Sequence, residues 1–229
     1  MKKRVVITGA TDGIGRALAT LLAGEYALAL CGRNEDKMNK LVEELGDSCV
    51  YHECFDIMDE KRRHEFCEHV KEKMDSVDVL VNNAGANIKK DKVTEINLSD
   101  LRYMFELNCV SPLGMIQEFY PVMSRQQSGL FVNILSTCCL FNSPMTGAYS
   151  ASKDAMEAIS KILLKEVKNE HIGVCSVYPG GVDTNFRAVP NHNYLRPETI
   201  AKMVRACIEN EEGCVHDIVV RPFIEDNIV

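Results

Sequence analysis

The sequence lacks long apolar runs, low-complexity tracts and an excess of positive charge. No apolar segment approaches the ~20 residues that a membrane-spanning helix needs. The basic start, Met1–Arg4, is followed by too short an apolar segment, Val5–Ile7, to form the core of a secretory signal. The formal net charge of −7 argues against a general affinity for nucleic acid or anionic membranes. We therefore expect a cytoplasmic protein whose partners are small molecules or other proteins.

The ten cysteines lack the spacing of a metal site or a disulfide framework. No CxxC or HxxxH pattern occurs among Cys54, His64, Cys67 and His69, so we predict no metal site. Without a secretory signal, cysteines in this number are typical of reduced, mostly buried thiols. The adjacent pair Cys138-Cys139 has two interpretations, as pocket-lining or core residues or as a redox switch.

A glycine-rich stretch near the start follows a strand-type segment. Arg4–Thr8 leads into Gly9-Ala-Thr-Asp-Gly13-Ile-Gly15, and a helix-type segment with Leu18 comes next. Glycines let the backbone approach a pyrophosphate closely, and a helix N-terminus offers unpaired N–H groups. The spacing is GxxxGxG, which differs from the commoner GxGxxG. The order predicts a dinucleotide site, with a glycine-rich turn that holds no ligand as the alternative.

The second strand-type segment, Ala27–Cys31, bears on the choice of coenzyme because it ends in Gly32-Arg33-Asn34. An acid near this strand end holds the adenosine ribose of NAD, whereas a basic residue receives the 2′-phosphate of NADP. Glu35 and Asp36 suit the first turn of the next helix, where acids complement the helix dipole. Arg33 therefore favours NADP(H), and NAD(H) is the alternative.

Polar residues also follow the third and fourth strand-type segments. Asp56 can accept a hydrogen bond from an adenine amino group, or it can cap the helix that starts near Asp59. Asn82-Asn83-Ala84-Gly85 follows the strand Val77–Val81. Its amides and small residues suit the close approach of a flat ligand, as expected at the crevice of a parallel sheet.

The stretch from Ser136 to Lys153 carries candidate catalytic groups. On a helix, Tyr149 and Lys153 would lie on one face, one turn apart. A free phenol has a pKa near ~10, and a nearby cation lowers it by favouring the phenolate. Tyr149 is thus a candidate general acid or base, and Ser136 offers a hydroxyl that can hold a carbonyl oxygen. The alternative is an ordinary helix with a solvated lysine.

These motifs, with Asn108 and Pro179–Thr184, resemble the short-chain dehydrogenase/reductase family over nearly the whole chain. The resemblance implies an α/β fold: one Rossmann domain over residues 1–229, with a doubly wound parallel sheet of about seven strands and helices on both faces. It also implies an NAD(P)-dependent oxidoreductase that transfers a hydride between nicotinamide and a ketone, aldehyde or secondary alcohol.

The resemblance also assigns roles to individual residues. Tyr149 would exchange the proton, Ser136 would hold the substrate oxygen, and Lys153 would assist the phenol and bond the nicotinamide ribose. Asn108 would hold a water that links Lys153 to bulk solvent. The expected cofactor-binding residues are Gly9, Thr11, Asp12, Gly13, Ile14, Gly15, Arg33, Asp56, Ile57, Asn83, Tyr149, Lys153, Val182 and Thr184.

Two departures from the family pattern keep alternatives open. Asp12 stands where some NADP-dependent members carry a second basic residue, so repulsion with a 2′-phosphate is expected. The ending His216–Phe223 looks more like small carbonyl, hydroxy-acid and sepiapterin-type reductases than 3-oxoacyl carrier-protein reductases. We expect a carbonyl reductase or alcohol dehydrogenase. The alternatives are a 3-oxoacyl reductase, a hydroxysteroid dehydrogenase, or a regulator that senses NADP without turnover.

The substrate pocket and the subunit contacts are less sharply defined by the sequence. Apolar side chains should line the pocket, namely Cys138, Phe141, Met145 and Phe186. A second group either attracts an anionic substrate or forms a solvated face, namely Lys89, Lys90, Arg187 and His192. The helix expected from Ala148 to Val167 carries apolar residues on more than one stripe, which predicts an oligomer. The resemblance implies a homodimer or homotetramer formed through this helix and the helix that carries Asn108.

Overall fold

The fold is built around one parallel sheet of seven strands, in the order β3-β2-β1-β4-β5-β6-β7. The computed structural model describes residues 2–186 and 191–225. The strands are β1 Arg4–Thr8, β2 Ala27–Gly32, β3 Cys49–Cys54, β4 Val79–Asn82, β5 Gly129–Ile134, β6 Ile172–Pro179 and β7 Asp217–Val220. The helices are α1 Gly13–Leu22, α2 Glu35–Leu45, α3 Glu60–Met74, α4 Leu98–Phe105, α5 Ser111–Gln126, α6 Gly147–Glu166 and α7 Pro197–Glu209. The predicted Rossmann α/β fold is confirmed.

The strand order places a crevice between β1 and β4. β1 pairs with β2 on one side and with β4 on the other, with Val5 opposite Leu28 and Val79. The chain therefore leaves β1 towards one edge of the sheet and later returns to build the other half outward from β4. Ligands bind parallel sheets at such a switch point, outside the carboxyl ends of the strands. Gly9 and Asn83 lie directly after those two ends.

Both faces of the sheet are covered by helices. Successive side chains of a strand point to opposite faces, so Val5 and Ile7 enter one apolar cluster and Val6 the other. Helices α1, α2 and α7 pack on the first face, and α3, α5 and α6 pack on the second. This double burial is the reason why the central strands are continuous apolar runs in the sequence.

Local signals set several helix boundaries. Asp12, Asn34 and Asp59 cap α1, α2 and α3, each by accepting a hydrogen bond from a backbone N–H of the first turn. The suggestion that Asp56 caps α3 is wrong, because its carboxylate accepts from Met58 N at 3.0 Å while Asp59 takes the cap position. In the described part of the chain, no helix has the length and apolar character needed to cross a membrane.

Candidate active site

Lys153 is a buried cation in the second turn of α6. Its side chain is 5% exposed, and Nζ donates a hydrogen bond to the Ile134 carbonyl at the end of β5, at 2.8 Å. Burial lowers the pKa of Lys153 to about 8, and the groups that oppose this shift are cysteine thiols rather than carboxylates. Such an ammonium is able to donate to ligand hydroxyls and to release its proton near neutral pH.

Tyr149 lies one turn before Lys153 and is also buried, with 9% of its surface exposed. It belongs to a small apolar cluster with Met104, Cys138 and Ala148. Its ring lies 6.0 Å from the ring of Phe186, at 59°. The i,i+4 spacing on one helix is therefore confirmed, and two of the predicted pocket residues lie beside the phenol.

Asn108 is fully buried in a π-helical turn, Glu106–Val110, between α4 and α5. Its Nδ2 donates to Ala86 O and to Ser152 Oγ, both at 3.0 Å, and its Oδ1 accepts from Ala86 N at 3.0 Å. Both amide hydrogens are thus used to join the segment after β4 to α6. The amide hydrogens are therefore not free to hold a water, and π-helical turns are frequent at functional sites.

Gly85 lets Asn108 and Lys153 come close to the segment after β4. A Cβ at this position would lie 2.8 Å from Asn108 Oδ1 and 3.2 Å from Lys153 Nζ. Any larger residue would push these two groups away from the crevice.

Ser136 lies at the mouth of the crevice after β5. Its Oγ accepts from Cys138 N at 3.2 Å and so caps the short helical turn Thr137–Cys139. A hydrogen bond from Cys139 is the main cause of the lowered pKa of the Cys138 thiol. The structure therefore places a polarised sulfur next to the serine that we expect to hold the substrate oxygen.

The glycine-rich turn folds tightly onto the end of β4. Gly9 and Gly13 have φ values of +65° and +50°, a region that favours glycine. A Cβ on Gly15 would lie 2.5 Å from both Gly9 O and Asn83 Nδ2. Asn83 Nδ2 donates to Thr8 O at 2.9 Å and to Gly9 O at 3.1 Å, so Asn83 holds the turn in place.

The loop after β6 forms the opposite wall of this crevice. A Cβ on Gly13 would lie 3.2 Å from Cγ2 of Thr184, so the glycine turn faces the segment with Val182 and Thr184. Glycines on one wall and the N-terminus of α1 at its base fit a bound pyrophosphate. The residues present thus fit a dinucleotide.

Asp12 connects the glycine turn to two other segments. Its carboxylate accepts from Gly13 N at 2.8 Å and from Asn185 Nδ2 at 3.0 Å, and it forms an ion pair with Lys37. Burial raises the pKa of Asp12, but the bonds from Lys37 and Asn185 outweigh it and lower the pKa overall. The charge of Lys37 therefore offsets the repulsion that Asp12 would exert on a 2′-phosphate.

The remaining predicted coenzyme residues lie along the same edge of the sheet. Arg33 is exposed, with Nη1 3.5 Å from the Tyr103 hydroxyl. Thr11 is buried and packs against Gly32. A Cβ on Gly32 would lie 2.6 Å from Thr11 Cγ2. Ile57 is buried, and its carbonyl accepts from Arg63 Nη1 at 3.0 Å. Ile14 packs partly buried against the core around α1.

The other predicted pocket and charged residues are more dispersed. The ring of Phe141 lies 4.6 Å from the guanidinium of Arg221, and Met145 is 48% exposed. Lys89 pairs with Asp91 at 3.1 Å, and His192 pairs with Asp183 at 3.1 Å. Lys90 is exposed, whereas Arg187 lies outside the described residues. Because Lys89 and His192 are each paired with a carboxylate, the interpretation as a solvated face is favoured over a role in attracting an anionic substrate.

Sequence reasoning missed several residues that shape the site. Thr8 Oγ1 accepts from Asn83 N and Ala84 N at 3.0 Å, and Ser152 holds Asn108. Lys37 and Asn185 were missed as partners of Asp12. The sequence carried a local signal for Thr8, which directly precedes Gly9, and for Lys37, which lies four positions after Arg33. Nothing local pointed to Asn185.

Comparisons with known proteins agree with this geometry. The sequence matches the short chain dehydrogenase family over residues 3–194. An uncharacterized oxidoreductase of Staphylococcus aureus is 32% identical over 225 residues, 96% of this chain and 97% of that protein. One of Staphylococcus epidermidis is 28% identical over 226 residues, with the same shares covered.

Solved structures have the same fold. An alcohol dehydrogenase from the archaeon Thermococcus sibiricus, complexed with 5-hydroxy-NADP, has a TM-score of 0.88 and 27% identity over 97% of both chains. A serine dehydrogenase from Escherichia coli has a TM-score of 0.87 over 96% of this chain and 97% of that one. At 22% identity, the second likeness concerns the fold alone.

Proposed function

Since the chain belongs to the short-chain dehydrogenase/reductase family and is an NAD(P)-dependent oxidoreductase, we propose that it interconverts a ketone or aldehyde and its alcohol with NADP(H). The observation that carries the proposal is the buried ammonium of Lys153 one helical turn after a buried Tyr149. A sensor that only binds the coenzyme needs the glycine turn, but it does not need a proton relay at Tyr149.

Three side chains and one main-chain oxygen divide the work of proton transfer. The Ser136 hydroxyl donates a hydrogen bond to the carbonyl oxygen, and the Tyr149 phenol delivers the proton to that oxygen during reduction. Lys153 stabilises the phenolate that remains and donates to the ribose hydroxyls. The main-chain oxygen of Asn108 holds a water through which the proton is replaced from solvent. NADPH supplies the hydride when it is bound.

The coenzyme would lie along the carboxyl edge of the sheet. Gly9, Gly13 and Gly15 would receive the pyrophosphate, with Thr11, Asp12 and Ile14 shaping the turn. Asp56 and Ile57 would contact the adenine, and Val182 and Thr184 the carboxamide. Asn83 would act as a positioning residue, because its amide already holds Thr8 and Gly9.

Two cations favour NADP(H) over NAD(H). Arg33 is exposed directly after β2, and Lys37 lies in the first turn of α2 with its charge shared with Asp12. The Thermococcus sibiricus alcohol dehydrogenase was solved with an NADP derivative, which supports the same preference here. Arg33 would donate in a forked geometry to the 2′-phosphate.

We expect Arg33→Ala to weaken NADPH binding by about tenfold or more and to change NADH binding little, since a charge-assisted hydrogen bond is worth about 1.5–3 kcal/mol. Fluorescence titration with both coenzymes measures this difference. Lys40→Ala is the matched control, because Lys40 is another exposed cation of α2. An equal loss for NADPH and NADH would remove the reason for preferring NADP.

The side chains around Tyr149 favour a substrate with an apolar body. Cys138 and Phe186 lie beside the phenol, whereas Lys89 and His192 are paired with carboxylates. NADPH and NADH oxidation should therefore be followed with ketones, aldehydes, 3-oxoacyl thioesters and keto-steroids. Turnover with one of these groups identifies the substrate class. Tight NADPH binding without turnover on any of them would leave two interpretations, a substrate outside the panel or a coenzyme sensor.

We also propose that the chain forms one domain and assembles as a cytoplasmic homodimer or homotetramer through α5 and α6. Ile162 on α6 is 56% exposed, and Val110, which directly precedes α5, is 44% exposed. Burial of such side chains against another copy would stabilise the assembly. Light scattering at micromolar concentration should give a multiple of the 25.6 kDa chain mass. A monomeric mass would contradict this assembly.

A further inference from the structure

A groove with a volume of about 480 Å³ lies between α3 and α5. The described residues that line it all belong to these two helices, and none of them is assigned above to catalysis or to the coenzyme. The groove is on the α3 side of α5, whereas the proposed assembly uses α5 together with α6. Small-molecule sites have volumes of about 300–1,000 Å³, so the groove is large enough for a small ligand.

Arg63 is a buried cation in the wall of this groove. It is 7% exposed, and its Nη1 donates a hydrogen bond to Ile57 O at 3.0 Å. In the part of the chain that the structure describes, no carboxylate forms an ion pair with Arg63. Buried charges are normally paired, because an uncompensated charge away from water is costly. An unpaired guanidinium at the edge of a groove therefore indicates that an anion belongs there.

Gly114 on α5 makes room for the guanidinium of Arg63. A Cβ at this position would lie 2.6 Å from Arg63 Nε and 2.8 Å from both Cζ and Nη2. The guanidinium thus occupies the space that a side chain on α5 would otherwise fill. Its Nη1 is used by Ile57, whereas Nε and Nη2 form no hydrogen bond with any described residue. These two nitrogens offer parallel N–H donors, which match two oxygens of a carboxylate or a phosphate.

A second guanidinium, that of Arg125, lines the groove from the last turn of α5. Arg125 is exposed, and it also has no carboxylate partner among residues 2–186 and 191–225. We propose that this groove binds the oxyanion of a small metabolite, a carboxylate or a phosphate. The free N–H groups of Arg63 would hold the oxyanion, and the charge of Arg125 would add to its attraction.

Three glutamates line the same groove, and they would repel an anion unless cations offset them. Glu68 and Glu118 share Lys71, whose Nζ lies 2.7 Å from Glu68 Oε1 and 2.8 Å from Glu118 Oε2. His64 Nδ1 also lies 2.7 Å from Glu118 Oε1. Glu60 is exposed in the first turn of α3, where water and salt screen its charge. The acidic part of the groove is therefore largely paired, and the two arginines are left for the ligand.

The experiment is calorimetric titration of the purified full chain with inorganic phosphate and, separately, with succinate. Saturating NADPH is present, so that phosphate does not bind at the coenzyme edge of the sheet. We expect saturable binding of at least one of the two anions. Tighter binding of phosphate would identify a phosphorylated metabolite as the ligand, and tighter binding of succinate would identify a carboxylate.

Two variants change the guanidinium of Arg63 in different ways. Arg63→Lys keeps the charge but removes the paired donors, so it should weaken anion binding by about tenfold or more. Gly114→Ala should have a similar effect, because its Cβ displaces the guanidinium. Arg62→Met is the matched control, since Arg62 is exposed, pairs with Glu53 and does not line the groove. This control should bind the anion like the wild type.

Three results would overturn the proposal. One is the absence of saturable binding of both anions to the wild type. Another is unchanged affinity in Arg63→Lys and Gly114→Ala. The third is an equal loss in Arg62→Met, which would mean that the general charge of α3 attracts the anion. If Arg63→Lys does not fold, Gly114→Ala still tests the site, because alanine favours the helix more than glycine does.

Discussion

Tyr149→Phe is expected to abolish carbonyl reduction while coenzyme affinity stays nearly unchanged. Phenylalanine keeps the ring that packs with Met104, Cys138 and Phe186, and it removes only the hydroxyl. Proton transfer by a positioned side chain is worth about 10²–10⁴-fold in rate, so we expect a fall in kcat of at least that size. Steady-state kinetics and titration of NADPH fluorescence measure the two effects separately.

Tyr120→Phe is the matched control for this substitution. The Tyr120→Phe substitution removes a hydroxyl hydrogen bond to Glu170 at 3.0 Å, and Tyr120 lies on α5, which carries none of the predicted catalytic residues. The kcat of the Tyr120→Phe protein should equal that of the wild type. Unchanged turnover in Tyr149→Phe would mean that another group delivers the proton.

Lys153→Met is expected to stop turnover and, at pH 7, to make the coenzyme-free protein more stable. Lowering the pKa of Lys153 from 10.5 to about 8 costs the folded state about 3 kcal/mol at 1.36 kcal/mol per unit. Methionine removes that cost but leaves the buried Ile134 carbonyl without its donor, which costs about 1–3 kcal/mol. We therefore expect a net gain of up to about 2 kcal/mol in the free energy of unfolding.

The same pKa gives the sign of a pH effect on stability. Between the folded pKa of about 8 and the unfolded value of 10.5, the unfolded chain binds more protons at Lys153 than the folded chain. The free energy of unfolding of the wild type therefore rises with pH across this window, and below about pH 8 the cost of the buried charge is fully present. Lys153→Met lacks this rise, so its advantage should shrink above pH 8.

Urea unfolding at pH 7 and at pH 9.5 tests this pair of expectations. Lys165→Met is the control, because Lys165 lies exposed in the last turn of α6. It should show neither the gain at pH 7 nor a loss of activity. A Lys153→Met protein that is less stable than the wild type at pH 7 would show that the ammonium is not a strained buried charge.

Features that depend on neighbouring residues could be predicted from the sequence. The glycine turn, Arg33 and the Tyr149–Lys153 pair are defined by spacing within one element. The cap at Asn34, the acids that follow it and Pro197 at the start of α7 likewise mark helix ends locally. Strand burial followed from apolar runs, since both faces of the sheet are covered.

Contacts between distant segments could not be predicted in this way. Asp12 and Asn185 are 173 positions apart, and their hydrogen bond depends on how the loop after β6 packs over the glycine turn. The resemblance implied that Asn108 holds a water, but its side chain forms hydrogen bonds with Ala86 and Ser152.

The central claim is that this fold moves a hydride from the nicotinamide to a carbonyl carbon while Tyr149 supplies the proton. The most direct test uses NADPH that carries deuterium at the transferable position, with a ketone found in the substrate panel. The account predicts one deuterium on the carbinol carbon of the product with the wild type, and formation of this product at least about 100-fold more slowly with Tyr149→Phe. Alcohol product without deuterium, or equal rates of labelled-product formation by both proteins, would contradict it.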